Sequence, residues 1–529
     1  MDTNTSLTRH AGILLHITSL PGNSLIGEMG QSAFDFIKWL HKAGMAYWQV
    51  LPLGHTGYGD SPYQCFSAFA GNPLLISLTN LSKLGLLDAE QIVLPDSDDK
   101  NNVNYGRVYT QKMPLLNQAW QRFFKGDGDK SLHKEFDAFI SDSDNAIWLE
   151  DYAMFMSLKE SFNGQSWIQW PKPIRTRTKA ALAEAADKLS ERILYFKFLQ
   201  FIFFRQWTAI KASCLENKIQ IIGDLPIYVS YDSADTWANQ QLFLLTKDGH
   251  PLQVAGVPPD YFSETGQLWG NPIYDWKKMA KDQYAWWKLR IKNCLKLYDY
   301  IRLDHFRGFF GYWSVPATAE TAIDGKWVAG PGLAFFEALQ KDFGENLPII
   351  AEDLGEITSD IVSARKSLNL PGMSVLQFAW GTNSLEPLIP NPNSNYLPYQ
   401  IEQNSIVYTG THDNNTTRGW WDSAPKNEKT CLQVYLSVDG NCIHHDLIRC
   451  AFSTVAHTVI IPMQDLLGLG SEARMNMPGR SVGNWSWRVT QEQLSDNNAE
   501  WLYNLSLVYG RCNTPPEIAI KESCKEPEY

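Results

Sequence analysis

Eight short apolar runs, each ending in polar or charged residues, restrict the fold of this chain more than any other feature. They occupy 12–17, 47–53, 219–225, 301–304, 349–353, 373–378, 406–410 and 458–461. Their length and their content of β-branched residues read as buried strands. Helical periodicity fills most of the intervals, for example 32–43 after the first run and 360–368 after the fifth. Strands that alternate with helices pair in parallel, and eight such units are enough to close into a barrel. The expected fold class is therefore α/β, a TIM (β/α)8 barrel with large, mostly helical insertions around its C-terminal face. The competing arrangement, an open doubly wound sheet, calls for a Gly-x-Gly-x-x-Gly turn after an early strand. The Gly-rich stretch from Gly22 to Gly30 does not fit that pattern.

The spacing of the runs places the insertions. The interval between the second and third runs is far longer than one crossover needs. It reads as a mostly helical subdomain over 75–189, with a polar loop at 96–104 and a charged amphipathic helix at 179–194. The barrel itself is then assigned to 1–74 and 190–529. A second insertion at 228–287 is rich in Pro, Gly and aromatic residues, including Val257-Pro258-Pro259-Asp260-Tyr261-Phe262. Such a loop at the mouth of a barrel is a candidate lid.

Composition narrows the class of partner. The net charge is −11 and no basic stripe is visible, which argues against nucleic acid. The chain carries 20 Trp, 22 Tyr and 25 Phe. Most are expected in the core, but those set beside Gly, Pro and Asn suit the flat C–H faces of sugars. Eight Cys without a Cys-x-x-Cys pair read as reduced thiols, mostly buried. The start shows neither a basic n-region nor a long apolar run, so a cytoplasmic protein without membrane association is expected.

Catalytic groups in barrels sit at the C-terminal ends of strands. Four carboxylates fall there: Asp224, Asp304, Glu352 and Asp413. Any one of them alone could serve as a helix N-cap. Four on separate strands suit either glycoside cleavage or divalent-metal binding. Arg302 and Asp304 are two apart on one strand and so share a side, where the guanidinium would hold Asp304 ionised as a nucleophile. Glu352 follows the apolar Pro348-Ile349-Ile350-Ala351, where desolvation would raise its pKa as a general acid requires. The His residues nearby, His305 and His412, are singletons and lack the paired spacing of a zinc site. Glycoside cleavage is favoured, while metal-dependent hydrolysis and non-catalytic glucan binding stay open.

The motifs in their order resemble those of the 4-α-glucanotransferase family (amylomaltase, or disproportionating enzyme), a branch of the α-amylase clan. They include Ser19-Leu20-Pro21-Gly22, Gly57-Tyr58-Gly59-Asp60-Ser61-Pro62-Tyr63-Gln64 and Gly223-Asp224-Leu225-Pro226. Leu268-Trp269-Gly270-Asn271-Pro272, Arg302-Leu303-Asp304-His305-Phe306-Arg307-Gly308 and Ala351-Glu352-Asp353-Leu354-Gly355 follow. Gly410-Thr411-His412-Asp413-Asn414 and Asn476-Met477-Pro478-Gly479 complete the series.

The resemblance implies that Asp304 is the nucleophile, Glu352 the acid/base, and Asp413 a third carboxylate gripping sugar hydroxyls. It also implies that Arg302, His305, His412, Asp224, Tyr63 and Trp269 line the cleavage subsite. Tyr261 and Phe262 would lie in the loop over the cleft, and Asn476 and Asn484 around it; Gln267 and Asn271 are further expected sugar contacts. The implied reaction is a retaining transfer between maltooligosaccharides, glucose and α-1,4-glucans. No cofactor, no metal and no obligatory protein partner are expected. An ordinary α-glucan hydrolase could use the same residues. Where the family commonly has Gly-Asp-Leu-Gly, this chain has Gly27-Glu28-Met29-Gly30, a change expected to have only a peripheral effect.

Overall fold

The computed structural model describes residues 7–92, 99–259, 263–355, 357–383, 386–390, 394–480 and 482–514. Its centre is an eight-stranded parallel sheet. The strands are His10–Leu14, Tyr47–Gln49, Gln220–Leu225, Tyr300–Leu303, Ile349–Ala351, Gly372–Val375, Ser405–Tyr408 and Thr458–Pro462. Each falls on one of the eight expected runs, and neighbours in sequence are paired in the sheet except the fifth and sixth strands, which form its two edges. The eighth strand returns to the first, with Ala11 opposite Val459 and Ile13 opposite Ile461. Between the fifth and sixth strands the Ala351 N–H donates to the Pro371 carbonyl at 2.9 Å, drawing the sheet round into a barrel.

Several runs stop short of their expected ends because the chain turns as soon as it reaches the barrel mouth. The sixth run, expected as strand through 378, becomes a 3-10 turn at Leu376–Phe378. Helices pack outside the barrel for the usual reason, one apolar face each. In Gln31–Lys42 the buried residues Ala33, Phe36, Ile37 and Leu40 recur at helical spacing.

The segment between the second and third strands is built from helices. They include Tyr105–Phe124, Lys130–Ser141 and Leu149–Ser161. Asn104 starts the first of these: its side-chain oxygen accepts the Arg107 N–H at 3.1 Å. The amphipathic helix expected over 179–194 is instead two helices, Lys179–Lys188 and Ser190–Glu216. Leu189, at φ −109° and ψ 14°, leaves the helical region and separates them. Ser190–Glu216 buries residues all round its circumference, since it packs on both Leu149–Ser161 and the third barrel strand.

Glu28 has a larger role than expected. It is buried, and Lys112 from helix Tyr105–Phe124 reaches it with Nζ to Oε1 at 2.6 Å. Lys112 Nζ also donates to the Leu74 carbonyl at 2.6 Å, so one cation ties the helical segment to two barrel loops.

The aromatic segment over 228–287 also differs from its reading as loop alone. It contributes two strands, Gln253–Val257 and Gln267–Pro272, to a four-stranded antiparallel sheet. The other two, Gly311–Pro316 and Lys326–Ala329, follow the fourth barrel strand, so the sheet is split in sequence by a strand of the barrel. Among the described residues, no helix is long and apolar enough to cross a membrane.

Candidate active site

Parallel register builds the site's floor. The third and fourth barrel strands pair with Asp224 opposite Arg302, so these side chains stand side by side. Asp304, two residues beyond Arg302, leans the same way. Arg302 Nη1 therefore reaches three carboxylate oxygens: Asp224 at 2.7 and 2.8 Å and Asp304 Oδ1 at 3.0 Å. The Asp224 side chain is fully enclosed, whereas that of Asp304 is 28% exposed toward the cleft. Tyr63 closes the other side of Asp224, its hydroxyl donating to Oδ2 at 2.7 Å.

Glu352 leaves the end of the fifth strand and is held by backbone. The His305 N–H donates to its Oε2 at 2.8 Å and the Leu354 N–H to its Oε1 at 3.0 Å. For the first of these bonds His305 adopts a left-handed conformation, φ 52° and ψ 51°, which a non-glycine residue takes only when its surroundings compel it. The same turn thus carries Asp304 and orients Glu352.

The protonation of this pair departs in part from expectation. Burial raises the Glu352 carboxyl, as expected. It also raises Asp304, to about 8, because desolvation outweighs Arg302. Asp224 explains the weakness of the arginine: it already neutralises the guanidinium, and its own charge adds to that of Glu352 in opposing ionisation of Asp304. Burial keeps His305 neutral, with its pKa brought down to about 4, and lowers His412 as well.

Asp413 approaches from the loop after the seventh strand. Asn476 donates to its Oδ1 at 2.6 Å, and Arg474 Nη2 donates to its backbone carbonyl at 2.6 Å. His412 stacks on Tyr63 with ring centroids 5.1 Å apart. On the opposite wall Trp269 meets His305 edge-on at 5.0 Å, and its indole N–H donates to Gln267 Oε1 at 3.2 Å.

Asp304, Glu352, Asp413, Asp224, Arg302, His305, His412, Tyr63, Trp269, Gln267 and Asn476 thus belong to one connected constellation. Two expected contacts do not present their amides to the cleft. Asn271 is buried and donates to the Val229 carbonyl at 2.8 Å. Asn484 accepts the Met477 N–H at 3.0 Å and donates to the Arg480 carbonyl at 2.9 Å, closing its own loop. Tyr261 and Phe262 lie outside the described residues.

Two participants were missed. Trp485 backs both Tyr63 and His412, at 5.7 and 6.0 Å between ring centroids. Its signal was the Gly483-Asn484-Trp485 turn, where Trp485 takes a positive φ of 63°. Arg474 carried no signal of its own, because its role is a contact to backbone. Among the described residues, no group of three or more His, Cys, Asp or Glu is arranged to hold a metal ion.

Comparison with known proteins agrees with this geometry. A family profile described as 4-alpha-glucanotransferase matches residues 15–494. The chain is 47% identical over 507 residues to the chloroplastic/amyloplastic 4-alpha-glucanotransferase of Arabidopsis thaliana, covering 95% of this chain and 86% of that one. It is 45% identical over 502 residues to the 4-alpha-glucanotransferase of Clostridium butyricum, covering 94% and 100%. Among solved structures, an amylomaltase from Streptococcus agalactiae in complex with acarbose superposes with a TM-score of 0.91 at 38% identity, covering 96% of this chain and 100% of that one.

Proposed function

The chain belongs to the 4-alpha-glucanotransferase family, and from that premise we propose how its cleft moves a segment of α-1,4-glucan from donor to acceptor. The observation that carries the reading is the turn that places Asp304 beside Arg302 and binds Glu352 through the His305 N–H.

Burial raises both carboxyls, and the Glu352 charge further opposes ionisation of Asp304, so the cleft favours keeping a proton on one of the two. The productive form has that proton on Glu352 and leaves Asp304 ionised against Arg302. Glu352 gives the proton to the glycosidic oxygen while Asp304 attacks C1, so the C1–O bond breaks and a covalent glucosyl-enzyme forms. The reducing-end portion leaves as an alcohol. The 4-hydroxyl of an incoming sugar then loses its proton to Glu352 and attacks C1, which releases Asp304 and makes a new α-1,4 bond. Asp413, held by Asn476, grips sugar hydroxyls near the reacting ring, and Tyr63 and Trp269 frame it.

Donor and product bonds are alike, so the chemistry is close to thermoneutral. Maltooligosaccharides serve as donors, and glucose or another glucan end as acceptor. We place the protein in the cytoplasm, supported by seven described cysteines that are all free, as a reducing compartment keeps them.

Trapping tests the residue roles. Glu352→Gln incubated with an α-glucosyl fluoride should gather a glucosyl adduct on the peptide containing Asp304, read by mass spectrometry. An adduct on another residue, or none while turnover persists, overturns the assignment.

A further inference from the structure

The four-stranded sheet carries an aromatic surface that the cleft chemistry does not use. Its register sets Leu268 opposite Gly256, Gly256 opposite Trp313, and Trp313 opposite Trp327. Directly opposed residues share a face, so the three large side chains stand in one row, with glycine leaving bare backbone between two of them. Trp269, one residue on from Leu268, points to the other face, where it meets His305.

Trp327 is 43% exposed and Leu268 39%, an unusual exposure for such side chains placed in a row. The Trp313 ring is fixed by its indole N–H, which donates to the Ala322 carbonyl at 2.8 Å. It meets Trp327 at 69° with 5.3 Å between centroids, so the pair forms an angled shelf. The Arg307 guanidinium lies 3.9 Å over the Trp327 ring. Arg307 belongs to the 3-10 turn Phe306–Phe309, immediately after Asp304 and His305. The shelf therefore touches the turn that follows Asp304 and His305.

We propose that Trp327 and Trp313, with Arg307 stacked against one face of Trp327, bind a further stretch of α-1,4-glucan outside the cleavage site. The inference rests on the function proposed above. Angled rings fit the curved apolar C–H side of an α-glucan better than a flat protein or lipid surface. Such a site favours long chains, because only they span both the cleft and the shelf.

Affinity for amylose, read by retardation in native gels with Asp304→Asn as the non-hydrolysing background, tests this directly. Adding Trp327→Ala should raise the amylose Kd about fivefold or more, the loss of one stacking contact. Trp327→Tyr, which keeps a flat ring face, should retain most of the affinity. In the otherwise unaltered enzyme, Trp327→Ala should process maltotriose within about twofold of the parent rate, since that substrate ends inside the cleft. Unchanged amylose affinity in Trp327→Ala overturns the proposal. So does an equal loss on maltotriose, or a change only in oligomeric state, which would make the row a protein contact. An enzyme with no transfer activity would instead fail the proposed function and leave the amylose comparison readable.

Discussion

Asp304 concentrates the tension between stability and chemistry at the scale of one residue. Its carboxyl stands at about 8 in the folded protein against an ordinary 3.8, so the native state keeps a proton that the unfolded chain has released. Stability attributable to this group therefore falls as pH rises between those two values. Asp304→Asn should abolish turnover yet leave glucan binding intact. It should also raise Tm over the parent at pH 8 and scarcely at all near pH 3, below both values, where the parent's carboxyl is mostly protonated in either state. A thermal scan at both pH values checks the sign; equal gains would contradict it. Asp224 offers a second test, because its charge helps to hold Asp304 high. Asp224→Asn should shift the acidic limb of the kcat/KM profile to lower pH, whatever its effect on rate. A limb that stays put or moves up would show that Asp224 does not act through charge.

At the scale of elements, the barrel works because its strands can sit close to what packs behind them. Gly223, next to Asp224, is an example: a Cβ there would fall 2.1 Å from the Tyr298 ring. Gly223→Ala should cost about 1–3 kcal/mol, read as a lowered midpoint in urea at unchanged m-value. The strands were legible in the sequence because each is a compact apolar run, and carboxylates at their ends followed from barrel geometry. Parallel pairing of Asp224 with Arg302 was not legible, because the two residues come from different runs and register is set only when the sheet forms. That hidden pairing is why, contrary to expectation, Arg302 does not bring the Asp304 carboxyl below its ordinary value: the guanidinium is shared with Asp224. The antiparallel sheet was missed for a related reason, since its strands straddle a barrel strand. Asn271 and Asn484 matched a motif whose amides the fold spends on backbone.

Across the whole molecule, the helical segment is fastened to the barrel by a buried charge. Lys112 is fully enclosed and meets Glu28 at 2.6 Å. Lys112→Met should destabilise the protein by about 3–5 kcal/mol because it strands the Glu28 carboxylate, and adding Glu28→Gln should recover part of that loss. Chemical denaturation of both variants checks the order; a double variant worse than the single would contradict it. The family motifs pointed to the barrel mouth as the place of chemistry, and the structure assembles most of them there, with Trp485 and Arg474 added from a distant loop. Above all, this mouth hands its glucosyl group to sugar in preference to water. The product pattern from maltotriose alone tests that most directly. Glucose together with a ladder of maltooligosaccharides longer than the substrate is expected, whereas glucose and maltose with nothing longer would mean that water is the acceptor.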